Sequence, residues 1–232
     1  MVKMPKIRAE KPGRARVLIV DAQPVVRERV ADVISREPDL VLCGDADNPL
    51  NAFEIAETCG PDLIVTGLRL KDAHGLEFIK DLRARSNARV LVFSVYDERL
   101  YAERAIRAGA TGFVSKHETT QELLRAIRRV LEGEIYLSDR LTAHAMRCFF
   151  EGRARTAGRD WLSQLSDREI EVFELIGRGR TTRQIATALH LNIKTVQTYR
   201  ARIKTKLKLE TARELEQQAQ QALEKNVLKP WS

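Results

Sequence analysis

The chain has little that would hold it together through covalent or metallic bonds. Its 232 residues contain three cysteines, Cys43, Cys59 and Cys148, unevenly spaced, with no C-x-x-C pair and no paired histidines nearby. That pattern argues against a disulfide framework and against zinc, and leaves buried reduced thiols as the expectation. No apolar run approaches the ~18 residues that a membrane span needs. The basic opening "MVKMPKIRAEKPGRAR", broken by Pro5 and Pro12, is not followed by an apolar stretch with a small-residue cleavage site. No secretory leader is read there, and a cytoplasmic protein without membrane association is expected. No nucleophile triad, metal cluster or phosphate loop is present, and His74, His117, His144 and His190 are scattered. An enzyme is therefore not expected, and neither is a metal or cofactor.

The charge that is present is unevenly placed. Residues 1–16 carry six Lys/Arg against one acid, residues 17–137 carry 16 against 20, and residues 161–232 carry 13 against eight, within a total of +8. An acidic middle and a basic C-terminal piece suggest two jobs, with a polyanion favouring the second.

Five short apolar runs, "RVLIVDA" (16–22), "LVLCGDA" (40–46), "PDLIVTG" (61–67), "RVLVFSV" (89–95) and "TGFVSK" (111–116), show no polar alternation. Strands buried on both faces look like this. Segments with helical spacing lie between them, such as Val26, Val30, Val33 and Ile34, or Leu123, Ile127, Val130 and Leu131. The expected fold is an α/β doubly wound, five-stranded parallel sheet, with function at the carboxyl ends of its strands. Leu141, Ala145, Met146, Phe149 and Phe150 predict a linker helix, followed by an aperiodic Gly/Arg/Ala tether. From Trp161 the pattern is all-α. Ser166 to Glu169 and Thr181 to Gln184 read as capping boxes, Asn192 as the cap of a third helix reaching about Lys208, and Leu215, Ala219 and Leu223 as the stripe of a fourth. Two short helices joined by "HLN" form a helix-turn-helix pattern. The expected organisation is a basic disordered tail (1–15), an α/β domain (16–135), a linker helix and tether (136–160), and a four-helix domain (161–232).

The motifs "VLIVDAQPVVRE", "PDLIVTGLRL…GLE", "VLVFSVYD" and "AGATGFVSK" resemble a response-regulator receiver domain. The stretch "LSDREIEVFELIGRGRTTRQIATALHLNIKTVQTYRARIKTKL" resembles the LuxR-type helix-turn-helix, and the whole chain resembles a NarL/FixJ-type response regulator. The resemblance implies a phosphoryl-accepting aspartate at the end of the third strand and an acidic pair after the first strand that holds Mg²⁺. In this chain Gly67 stands at the acceptor position, and the acidic pair is reduced to Asp21 and Ala22. Ser94 matches the hydroxyl after the fourth strand, Lys116 the lysine after the fifth, and Phe113 the switch aromatic. Asp62 and Asp72 lie too far along the chain to substitute for the acceptor. Mg²⁺ demands an octahedron of oxygen ligands, so one carboxylate of three should hold it poorly, and without a nucleophile no aspartyl phosphate forms. Asp21, Ser94 and Lys116 are expected to persist as a structural cluster in which Lys116 pairs with Asp21, or alternatively as a small-molecule or partner site.

On the third C-terminal helix, ~100° per residue places Ile203, Leu207, Arg200 and Ile193 around Val196 as a docking face. Lys194, Thr198, Ala201, Thr205 and Lys208 fall opposite, with Gln197 and Arg202 at the edges. By resemblance, Gln197, Thr198 and Ala201 approach bases, and Lys194, Arg200, Arg202 and Lys204 approach phosphates. The expected function is sequence-specific transcription regulation, with double-stranded DNA as partner, a homodimer as the binding form, and a receiver that serves docking or dimerisation without phosphorylation. The alternative is a ligand-sensing or partner-binding receiver that modulates another regulator.

Overall fold

The computed structural model describes residues 13–71, 73–96, 98–143, 164–189 and 191–224. The chain divides into two compact units, with the break between Thr142 and Ala143.

In the first unit strands and helices alternate: β1 (Ala15–Val20), α1 (Pro24–Ser35), β2 (Leu40–Ala46), α2 (Pro49–Cys59), β3 (Leu63–Thr66), β4 (Arg69–Leu70), β5 (Ala73–His74), α3 (Gly75–Arg85), β6 (Arg89–Ser94), α4 (Glu98–Ala108), β7 (Gly112–Ser115) and α5 (Thr120–Leu131). The five principal strands form one parallel sheet in the order β2-β1-β3-β6-β7. Alternate residues along each strand point to opposite faces. One face, with Val17, Ile19, Val65, Leu91 and Val114, is sealed by Val30 and Ile34 of α1 and Leu123, Ile127 and Val130 of α5. Local chemistry starts the helices. The Asn48 side chain accepts the Asn51 N–H at 3.0 Å ahead of Pro49, and the Thr119 hydroxyl accepts the Glu122 N–H at 3.2 Å.

The sequence reading missed the hairpin β4–β5, a two-residue antiparallel ladder within the β3 to α3 connection. Runs this short leave no periodicity to read. The hairpin brings His74 to the start of α3, where its Nδ1 accepts the Leu76 N–H at 3.2 Å. A Cβ on Gly75 would lie 2.5 Å from the Gly67 carbonyl oxygen and 2.6 Å from the Leu68 Cα, so only glycine lets α3 begin against the end of β3. Gly75→Ala is expected to cost about 1–3 kcal/mol as overpacking against backbone. An unchanged urea midpoint would contradict this packing.

The first unit also extends beyond residue 135. Tyr136 bridges Gly112 and is buried, and Ser138 donates from its N–H and hydroxyl to Glu98 at 3.1 and 2.7 Å. Residues 139–143 are helical. Residues 1–12 of the basic tail, Asp72, His190 and the tether with Met146, Cys148, Phe149, Phe150 and Trp161 lie outside the described residues.

The second unit consists of α6 (Asp167–Gly177), α7 (Thr182–Leu189), α8 (Ile193–Leu207) and α9 (Ala212–Glu224) around Ile170, Phe173, Ile176, Ile185, Leu189, Val196, Ile203 and Leu215. Both capping boxes form. The Ser166 N–H donates to Glu169 Oε2 at 2.7 Å, and the Thr181 N–H donates to Gln184 Oε1 at 2.9 Å. Burial pushes the Glu169 carboxyl up, but the Lys206 ammonium at 2.6 Å and the Ser166 cap outweigh it and hold it below its ordinary range. A depressed folded value means that this contribution is present above the unfolded carboxylate range and is lost as pH falls through the folded value. Glu169→Gln should therefore lower stability at neutral pH, with the gap to wild type closing below about pH 4. A gap that stays constant on acidification would rule out the ion pair as its source.

One packing expectation is corrected. Ile193 is 42% exposed rather than part of the docking face, because it is the first residue of α8 and the buried stripe begins only at Val196.

Candidate functional site

Two regions carry the residues singled out from the sequence. The first lies at the carboxyl edge of the sheet, where β1 leads to β2 on one side and β3 lies on the other. Such a switch in strand order opens a crevice between strand ends. Asp21 follows β1, Gly67 follows β3, Ser94 ends β6, and Lys116 follows β7.

The crevice is filled from within the chain. Asp21 is 3% exposed, and its Oδ2 accepts from Lys116 Nζ at 2.5 Å while its Oδ1 accepts the Gln23 N–H at 2.9 Å. Lys116 Nζ also reaches Gln23 Oε1 at 3.5 Å, and its backbone N–H donates to the Ser94 carbonyl at 2.8 Å. A Cβ placed on Gly67 would meet Asp21 Oδ2 at 2.5 Å and Asp21 Cγ at 3.2 Å. The Asp21 carboxylate thus lies in the space that any side chain at position 67 would enter. Both of its oxygens are engaged, Ala22 offers only a methyl group, and Gly67 offers no side chain. Incoming Mg²⁺ would have to displace the Lys116 ammonium to gain a single carboxylate, so these residues do not fit the ion.

The remaining receiver residues are close by but play other parts. The Ser94 hydroxyl accepts the Tyr96 N–H at 3.2 Å, and Tyr96 stacks on Tyr101 with ring centroids 4.8 Å apart. Phe113 is fully buried in the sheet. The sequence reading missed Arg27, whose guanidinium donates to the Asp21 carbonyl at 2.7 Å and to Asp45 Oδ2 at 2.7 Å. It also missed Gln23. Gln23 is the N-cap of α1 and Arg27 lies in its first turns, and their sequence neighbourhood gives no sign that they turn toward the crevice.

The second region is α8. Asn192 caps it by accepting the Lys194 N–H at 2.9 Å, and Lys208 ends it in the left-handed region at φ 56°. Val196 and Ile203 are buried, and Lys194, Gln197, Thr198, Ala201 and Arg202 are exposed. The Thr198 hydroxyl donates to the Lys194 carbonyl at 3.0 Å, which leaves its methyl group as the outward feature. Arg200 and Lys204 behave differently. Arg200 Nη2 donates to Glu216 Oε1 of α9 at 2.9 Å with its side chain 17% exposed, and Lys204 Nζ donates to the Glu210 carbonyl at 3.4 Å. Both are engaged where α8 meets the start of α9.

The comparisons agree with this architecture. Residues 17–128 match the response regulator receiver domain family, and residues 163–219 match the luxR family of bacterial regulatory proteins. The chain is 33% identical over 198 residues to the nitrate/nitrite response regulator protein NarL of Escherichia coli K12, covering 85% of this chain and 91% of NarL. It is 34% identical to the DNA-binding transcriptional activator DevR/DosR of Mycobacterium tuberculosis, covering 84% and 89%. Among solved structures, a LuxR-family two-component response regulator from an Aurantimonas species is 30% identical with a TM-score of 0.53, covering 56% of this chain and 94% of that one. The RcsB response regulator of Salmonella typhimurium, at 18% identity, shares the fold with a TM-score of 0.62, covering 90% and 98%. No described helix is long and apolar enough to cross a membrane. A receiver fold joined to a LuxR-type helix-turn-helix unit, with relatives aligned across both, places this chain in the NarL-type response regulators, a family of DNA-binding transcription regulators.

Proposed function

We propose that this protein regulates transcription by binding double-stranded DNA as a homodimer, and that its receiver acts as a docking or dimerisation module without being phosphorylated on aspartate. The observation that carries the receiver half is the Asp21 carboxylate, which lies 2.5 Å from where a side chain at position 67 would start and is bound to Lys116. Among the described residues the pocket has neither an acceptor carboxylate after β3 nor a free carboxylate for Mg²⁺, and the Asp21 charge is already paired with Lys116. Incubation with acetyl phosphate and Mg²⁺ should leave the intact mass unchanged. A gain of one phosphate would overturn this half.

The DNA half rests on α8. Its exposed face is cationic and built of small residues, which suits entry into a major groove ~12 Å wide. Gln197 has the paired donor and acceptor that read adenine, Thr198 offers its methyl group to thymine, and Ala201 permits close approach. Lys194 and Arg202, both exposed, approach phosphates. Arg200 and Lys204 hold α8 against the start of α9. Gln197→Ala should cost about 1–3 kcal/mol on the preferred site and relax its specificity, whereas Lys194→Ala should weaken all sequences alike and reduce the salt slope by about 1. Binding measured against a matched and a scrambled duplex at two salt concentrations separates the two. Equal losses on both duplexes for Gln197→Ala would contradict its role in reading bases. One unit reads only a few base pairs, so paired half-sites require two copies.

A further inference from the structure

Away from the crevice and α8, the first unit holds a pair of thiols that its sequence spacing conceals. Cys43 lies on β2, the edge strand of the sheet, and Cys59 is the last residue of α2, which packs back over that strand. Both are reduced and half-buried, and the Cys59 thiol points at the Cys43 sulfur with the Sγ atoms 2.7 Å apart. Bonding them at about 2.05 Å needs a movement of less than about 1 Å. The edge position leaves both sulfurs partly open to a small reagent.

We propose that Cys43 and Cys59 form a site of reversible thiol modification, a dithiol that a low-molecular-weight disulfide of the glutathione type converts into an intramolecular disulfide. In the first step the Cys59 thiolate attacks one sulfur of oxidised glutathione, which forms a mixed disulfide and releases one glutathione thiolate. In the second, Cys43 gives up its proton and attacks the Cys59 sulfur, forming the Cys43–Cys59 bond and expelling the second glutathione. Two electrons pass from the cysteine sulfurs to the glutathione sulfurs, and two protons follow to the departing thiolates. Burial, and then the neighbouring Cys59, push the Cys43 thiol well above its ordinary range, so the first attack falls to Cys59, and adjacency drives the second. Arg16, which pairs with Asp62 at 3.8 Å, lies close enough for its charge to work against that rise. The finished bond closes a loop across residues 16 apart and ties the edge strand to its helix.

The test incubates the full-length protein in a glutathione buffer with excess oxidised form, traps free thiols by alkylation in acid, and reads the intact mass and the peptide map. The expected result is a cross-link between the Cys43 and Cys59 peptides, a loss of two hydrogens for that bond, and no glutathione retained on either residue. Cys43→Ser should instead retain one glutathione on Cys59, and Cys59→Ser should leave Cys43 unmodified. Glutathione retained on either residue of the wild-type protein, a cross-link from either to Cys148, or both thiols recovered alkylated would each overturn the proposal. The wild-type map decides among these outcomes even if a variant fails to fold.

Discussion

Lys116→Met is expected to destabilise the first unit by about 3–5 kcal/mol, because it leaves the Asp21 carboxylate buried without its counter-charge. Asp21 has nowhere to turn, since it is 3% exposed and its other oxygen is held by the Gln23 N–H. Replacing both partners by apolar groups, Asp21→Leu with Lys116→Met, should recover most of that loss, because the desolvation penalty disappears with the charges. Urea unfolding of wild type, Lys116→Met, Asp21→Leu and the double variant gives the comparison directly. If the double variant loses as much as the sum of its single changes, Asp21 and Lys116 act independently and the pair does not organise the crevice.

Gly67→Asp is expected to be nearly as costly, at about 3 kcal/mol, and to restore little phosphorylation by itself. The new Cβ would start 2.5 Å from Asp21 Oδ2, so the added carboxylate must evict an existing one from its ammonium partner. Overpacking and like charges act in the same direction here. Adding Ala22→Asp should help, because the extra carboxylate gives Mg²⁺ a reason to enter and neutralise the cluster. A sharper prediction concerns transposition. In the double variant Asp21→Ala with Gly67→Asp, the carboxylate moves from the end of β1 to the end of β3, within reach of Lys116. Its stability should return to within about 1 kcal/mol of wild type, with strong non-additivity between the two sites. Additive losses would show that position 67 is empty for a reason other than Asp21.

Much of this was legible from the sequence. Continuous Val, Ile and Leu runs located all five principal strands, because a strand covered on both faces has no solvent side to alternate with. Both capping boxes and the Asn192 cap were readable because their chemistry is confined to four consecutive residues. Gly67, Ala22 and Asp21 were placed at the strand ends through family resemblance. What stayed hidden depends on separations that sequence does not encode. That the Asp21 carboxylate fills the volume left by Gly67 follows from two strands 46 positions apart lying side by side. Gln23 joined the crevice through its backbone N–H on Asp21, and Arg27 through the direction of its side chain. The thiol pair of Cys43 and Cys59 escaped notice because its spacing matches no motif, and the residues meet only when α2 folds back on β2. On α8, helical phase grouped Arg200 with the inner side, but only the tertiary contact names Glu216 as its partner.

Under the proposed function the protein reads DNA without aspartyl phosphate. The most direct measurement is selection of bound sequences from random duplexes by untreated full-length protein at near-physiological salt, repeated after incubation with acetyl phosphate and Mg²⁺. The predicted result is one inverted-repeat site recovered in both experiments, with the same affinity. A site recovered only after acetyl phosphate, or weak and sequence-independent binding in both, would contradict it.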